Sequence, residues 1–397
     1  MFLFERVIAA KGKNREGGPG RNFRQGIYVG RIYLVPESFK LCVVQGLFYI
    51  IPLTGHGSSG RAPALGAGGS RFKSGCPETL MHTHLRACVF NQFHSPADVV
   101  EETFSSDIKT VTSGIFRTPF PFDKITLSAN FRTATDGCLL LQVQVCVNNT
   151  WSNFYKLGLL SGKFKTSFPS QKDAFGKVET DELVLSQPAQ AYRYRLQFYG
   201  DAELLSLAVS IVRAPFVYDE KLALHLPSGT NIQQVRPLSQ MQQDTPHKRR
   251  ICSPCSLYMA LNSLGYVVPL AQILPRVFDQ TADIYGNWLF NMAAAAEFGA
   301  QAFFRRFSSL AELKEFVTPD SLVIASIAFK KDELPGAPLE KTPGHLVLIR
   351  GYKAGKILVA DPAAPDDNSV LREYDAKAFA CAWLKNKQGA AYVVRHA

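Results

Sequence analysis

The sequence predicts an all-β sandwich of jelly-roll-like character followed by an α+β domain. Three observations carry this reading. Residues 95–215 alternate apolar and polar positions with period two. Beyond residue 238 helical spacing and short apolar runs replace that alternation. Between them "VYDEKLALHLPSGTNIQQVRPLS", residues 216–238, carries Pro227, Gly229 and Pro237 and reads as a linker. With 46% hydrophobic and 11% aromatic residues over 397 positions, the chain can build two cores and is not a disordered protein.

The first eighty residues differ in kind. "KGKNREGGPGRNFRQG" and "GHGSSGRAPALGAGGSRF" are rich in Gly, Arg and Ser and are not expected to pack. Between them "LCVVQGLFYIIPL" is apolar over thirteen residues, fewer than the ~20 a membrane span needs. It also lies too far from the start for a signal-peptide core. Met81 is the next methionine after Met1, so residues 1–80 read as a disordered leader or a mis-assigned upstream extension. Eleven Lys/Arg against four Glu there supply +7 of the net +11. With no nucleic-acid-binding module in the sequence, that charge does not indicate a nucleic-acid partner. The sequence leaves the cellular compartment unassigned.

In the β-rich part, "KITLSANF" places Ile125, Leu127, Ala129 and Phe131 on one face. "LLLQVQVCV" does the same with Leu139, Leu141, Val143, Val145 and Val147, and "YRYRLQFY" with Tyr192, Tyr194, Leu196 and Phe198. Each is the pattern of a half-buried antiparallel strand. "TATDG", "NNT", "PSQKD" and "YGDA" supply the turns. Trp151, Phe154 and Tyr155 are either core or a stacking platform for a carbohydrate or cell-wall ligand. Asn148 opens a glycosylation sequon, relevant only to a chain secreted by a eukaryote.

Eight cysteines are too few for a disulfide scaffold. Two of them stand close together in "HKRRICSPCSLYMALNSLGY". Cys252 precedes Leu257, Ala260, Leu261 and Leu264 at helical spacing, and Pro254 suits a first turn. A thiol at a helix N-terminus is favoured as thiolate. A redox C-x-x-C should follow a buried strand, and "QQDTPHKRR" is not one. A zinc site needs about four ligands, and no second C-x-x-C exists. The third reading is a nucleophile served by a histidine and a carboxylate elsewhere in the chain. "PGHLVLIRGY" sets His345 at the start of an apolar strand, and "KILVADPAA" ends a second strand at Asp361. A five-residue loop over Gly351–Gly355 would set residue 345 opposite 361; a two-residue Ala354–Gly355 turn would set it opposite 364 and spoil the contact. "SSLAELKEFV" offers a capping box of Ser309 and Glu312 ahead of the strand "SLVIASIAF". Trp288 reads as core or as cleft lining.

Taken in order, "SQM", "ICSPCSLYMALNSLG", "YGNWLFNMAAAAEFG", "TPGHLVLIRGY" and "ILVADPAA" resemble the papain-like bacterial peptidases of the C-thirty-nine-like family over residues 232–397. That family is similar to the bacteriocin-leader-processing proteases without their transporter. The resemblance implies a papain-like α+β fold over residues 239–397. It implies Cys252 as nucleophile, with Cys255 a bystander at a position usually Thr or Ala. It also implies His345 as base, Asp361 as its orienting acid, and Gln240 as oxyanion donor, with Gln242 and Gln243 close enough to compete. Arg236 stands where proline is frequent. The implied activity is hydrolysis of a peptide or protein substrate, with no metal or organic cofactor. The reading from another class is a non-catalytic binding protein, a β recognition module joined to a degenerate peptidase lobe.

Overall fold

The structure, a computed structural model, describes residues 39–44, 47–52, 89–94, 98–105 and 108–397. Met1–Lys73 and Ser74–Ala397 are separate compact units. In the first, β1 (Phe39–Val44) and β2 (Leu47–Pro52) form an antiparallel hairpin. The expectation of a leader over residues 1–80 otherwise lies outside the described residues.

The second unit contains two sheets. The first has eleven strands: β3 (Val89–His94), β4 (Val99–Ser105), β5 (Ile108–Ser113), β6 (Phe116–Arg132), β7 (Cys138–Val147), β8 (Thr150–Trp151), β9 (Tyr155–Ser161), β10 (Lys165–Thr166), β11 (Gly176–Glu179), β12 (Glu182–Tyr199) and β13 (Glu203–Arg213). Its main order is β10-β9-β7-β12-β6-β13-β3. β12 pairs with β6 and β11 through its first half, and with β7 and β5 through its second. Register shifts between Val184 and Ala191 mark the change of partners.

The predicted inward residues of these strands are buried, from Ile125, Leu127 and Phe131 to Leu141, Val143, Tyr192 and Leu196, except Phe198, which is half-buried. The expectation of half-burial fails on β7, where Leu140, Gln142 and Gln144 are also buried, and on β6, where the alternate residues Thr126, Ser128 and Asn130 are buried as well. Their face is covered by the second sheet. Of the proposed aromatic platform, Tyr155 is core and hydrogen-bonded to Asp173. Trp151 and Phe154 are half-buried beneath the guanidinium groups of Arg193 and Arg195.

The second sheet has seven strands, β14 (Asn231–Ile232), β15 (Ala300–Arg306), β16 (Ser321–Phe329), β17 (Thr342–Lys353), β18 (Lys356–Ala360), β19 (Leu371–Asp375) and β20 (Ala390–His396). Their order is β15-β20-β16-β17-β18-β19, with β14 on β17. Helices α1 (Cys252–Ser263), α2 (Leu270–Val277) and α3 (Trp288–Glu297) pack against it. The capping box forms, with Glu312 accepting from the Ser309 N–H at 3.1 Å. Residues 216–238 are more than a linker. They hold a helical turn, Glu220–Ala223, and β14, which pairs with Gly351 so closely that a Cβ there would meet the Asn231 carbonyl at 2.0 Å.

The two parts share a continuous packed boundary. Leu289, Phe290 and Ala293 on one side of α3 enter the first core, while Met292, Ala294 and Ala295 enter the second. Burial of a Leu or Phe side chain stabilises by about 1.5–3 kcal/mol. Gly158 makes the room, because a Cβ there would lie 2.6 Å from Leu289. β15 pairs with β20 along one edge only. Its other edge is satisfied by side chains of β6: Asn130 donates to the Ala302 carbonyl at 2.6 Å and accepts from its N–H at 3.0 Å, and Ser128 accepts from the Phe304 N–H at 3.0 Å. These bonds satisfy part of β15's second edge and blunt it as a pairing template. Buried ion pairs of Arg306 with Glu182 and Lys165 with Glu297 cross the same boundary.

Candidate active site

Cys252 is the first residue of α1, and no side chain caps that helix. Its first-turn N–H groups and dipole therefore remain available to a negative charge at Cys252. The helix is buried along most of its length, including Ser253, Pro254, Cys255 and Ser256. Ser256 donates from Oγ to the Leu346 carbonyl at 3.1 Å, tying α1 to β17 next to His345.

His345 stands within β17, paired with Ile327 of β16, and is buried. Its Nε2 donates to Asp361 Oδ1 at 2.7 Å. A side-chain hydrogen bond also joins His345 to Cys252. Asp361 follows β18 directly, is buried, and accepts from the Tyr374 hydroxyl at 2.8 Å and the Ala363 N–H at 2.9 Å.

Of the two turns the sequence allowed, the shorter one forms. The turn is the two-residue Ala354–Gly355, both at positive φ (42° and 76°), between the paired Lys353 and Lys356. Carried unbroken, that register would set 345 opposite 364, and Asp361 would face away, because a one-residue offset reverses every side chain. The register instead shifts between Ile349 and Gly351, with Arg350 as the extra residue. The bulge returns positions 345 and 361 to one face as diagonal neighbours, within reach of long side chains.

Electrostatics follow from this packing. Burial alone would raise the Cys252 thiol, yet the hydrogen bond and charge of His345, with the Leu346 N–H, hold it below its ordinary value. His345 is opposed by burial but raised to about 10 by the carboxylate of Asp361 and by Cys252. Asp361, despite burial, is kept below the usual carboxylate range by His345, Tyr374 and Ala363. Cys255 has no such partner, and burial pushes it well up. The lowered thiol and the raised imidazole both act in the direction of a Cys252–His345 ion pair.

Three glutamines competed in the sequence, and their environments differ. Gln242 is exposed and accepts from the Asp367 N–H, while Gln243 donates to the Ser239 carbonyl. Gln240 is buried, and its Oε1 has no hydrogen-bond partner. Its backbone N–H donates to the Pro362 carbonyl at 2.8 Å, and Ser239 Oγ donates to the Ala364 carbonyl at 2.6 Å. The segment carrying Gln240 is thus fastened to the turn after Asp361. Trp288 is half-buried at the start of α3, stacked on Phe304 at 4.6 Å between ring centres. The sequence did not single out Tyr374: "LREYD" is an ordinary edge strand, and only the pairing of β18 with β19 brings its hydroxyl to Asp361.

Residues 232–391 match the Peptidase_C39 like family. That part of the chain belongs to it. Residues 80–214 match a Peptidase C39 N-terminal domain. Similar solved structures include a double-glycine-motif protease from an AMS/PCAT transporter in complex with the leader peptide, at 19% identity and TM-score 0.31, covering 42% of this chain and 95% of that one. A C39-like peptidase from Bacillus anthracis is similar at 15% identity and TM-score 0.32, covering 43% and 98%. No curated protein matches the chain. Among the described residues, no helix is long and apolar enough to cross a membrane.

Proposed function

We propose that the chain is a cysteine peptidase that hydrolyses peptide or related amide bonds through Cys252, His345 and Asp361. The observation that carries this reading is the buried His345, held by Asp361 at 2.7 Å, whose hydrogen bond and charge lower the Cys252 thiol. The thiolate attacks the carbonyl carbon, and His345 gives its proton to the leaving amine. Water then hydrolyses the thioester, with His345 as base. Gln240 and the Cys252 N–H are the donors assigned to the oxyanion, each worth about 3 kcal/mol in the transition state. Asp361 holds the tautomer. The β-rich part is assigned as a sandwich-type module that recruits the peptide or cell-wall substrate.

Thiol mapping tests the reading. With limiting iodoacetamide near pH 6, Cys252 of the full chain should label ahead of Cys255, Cys138, Cys146 and Cys381. His345→Ala should slow Cys252 by at least about tenfold, as its thiol returns toward an ordinary pKa of ~8.5. Equal, slow labelling of Cys252 and Cys255 in the wild type would exclude the thiolate and the peptidase reading with it.

A further inference from the structure

The nucleophile's helix has a second anchor that reaches into the β-rich part. Ser253, adjacent to Cys252 and fully buried, hydrogen-bonds through Oγ to the Tyr392 hydroxyl at 3.2 Å. The same hydroxyl donates to the Gly286 carbonyl at 3.4 Å. Two residues on, the Trp288 N–H at the start of α3 donates to Asp181 Oδ2. Asp181 belongs to the β11–β12 turn, where the preceding Thr180 sits at positive φ. It is buried, so a carboxylate of the N-terminal part is held inside the boundary with the peptidase part.

Resting on the proposed cysteine chemistry, we infer that Asp181 is a positioning residue for the nucleophile. It fixes the 286–288 segment, which through Tyr392 and Ser253 sets the first turn of α1. The N-terminal part would then be a component of the working site as well as a recruiting module. Asp181 is poorly placed to serve stability alone. Burial first, with Glu182 and Asp279 adding repulsion, raises its carboxyl to about 7 against the bond from Trp288. Other ionisable groups within its field are Lys387, which precedes β20, and Tyr392 on β20. A raised acid binds its proton more tightly folded than unfolded. Its ionisation therefore costs stability progressively from pH ~3.9 up to about 7, and the full cost persists above that. A costly buried carboxylate is expected where function needs it.

The experiment measures iodoacetamide alkylation of Cys252 between pH 5.5 and 8.5, and thermal unfolding, in the full chain. Asp181→Ala should slow alkylation about tenfold, the scale of a small misplacement of a reacting group. Asp181→Asn keeps an oxygen for the Trp288 N–H. It should restore alkylation to within about threefold of wild type while raising thermal stability at pH 8. Tyr392→Phe should slow alkylation like Asp181→Ala, and the double variant should be no slower than either, as for residues acting in one chain. Wild-type alkylation in Asp181→Ala, or in Tyr392→Phe, overturns the inference. Because the wild-type selectivity for Cys252 over Cys255 is read in the same assay, failure here is distinct from failure of the peptidase reading.

Discussion

Two buried aspartates, Asp361 bonded to His345 and Asp181 bonded to the Trp288 N–H, are held in opposite ways. Asp361 is kept well charged by His345, by the Tyr374 hydroxyl and by the Ala363 N–H. Asp181 accepts from the Trp288 N–H but has Glu182 and Asp279 as electrostatic neighbours, and burial lifts it to about 7. Both are under a tenth exposed. Both acids are raised by burial, and what separates them is the number and sign of the partners that oppose it. The first acid is built to stay an anion. The second sits near its midpoint at physiological pH.

The comparison can be broken most forcefully at Asp361. Asp361→Ala leaves His345 buried without its counter-charge and should cost roughly 3–5 kcal/mol by urea unfolding. It should also remove the preferential alkylation of Cys252. Asp181→Asn should instead stabilise at pH 8, so the two substitutions differ in sign. A stabilised Asp361→Ala would refute the ion pair.

The pH dependence sharpens the contrast. His345 is raised above its unfolded value near 6.5, so its stabilising contribution is complete below that pH and is lost as pH climbs through about 10. Asp361 is depressed, so its contribution is present above pH ~3.9 and is lost as pH falls through its lower folded value. Urea midpoints in wild type and His345→Ala should converge toward pH 10 and diverge near pH 6. Parallel curves would show that the pair adds nothing to folding.

The smallest expected effect lies at the boundary between the two parts. Asn130→Ala leaves the Ala302 N–H and carbonyl of β15 without their partner, at a cost of about 1–3 kcal/mol. A loss below about 0.5 kcal/mol would mean that water replaces the asparagine.

Much of the site was legible in the sequence because its signals are local. The helical spacing after Cys252 with Pro254 in the first turn placed the thiol at a helix N-terminus, where it is found. The apolar runs around His345 and Asp361 read as paired strands, and they pair. The sequence left the hairpin turn open between five residues and two. An Ala-Gly turn is recognisable, but nothing in "LIRGYK" announces that Arg350 is an extra residue. Such a bulge is decided by which register lets the buried His345 meet its carboxylate. The choice among Gln240, Gln242 and Gln243 was also open in sequence. They differ in burial and bonding, which depend on the distant 361–367 segment.

By itself, the sequence determined the elements: period-two strands to about residue 213, a cysteine heading a helix, and a histidine and an aspartate on successive strands. These follow from residue-by-residue preferences and short spacings, which physics reads locally. Tertiary structure alone decided that β6 is buried on both faces, that the Tyr374 hydroxyl bonds Asp361, and that Asp181 accepts from the Trp288 N–H. Each depends on contacts between residues 13 to 176 positions apart. Their energies exist only once both cores have closed around them.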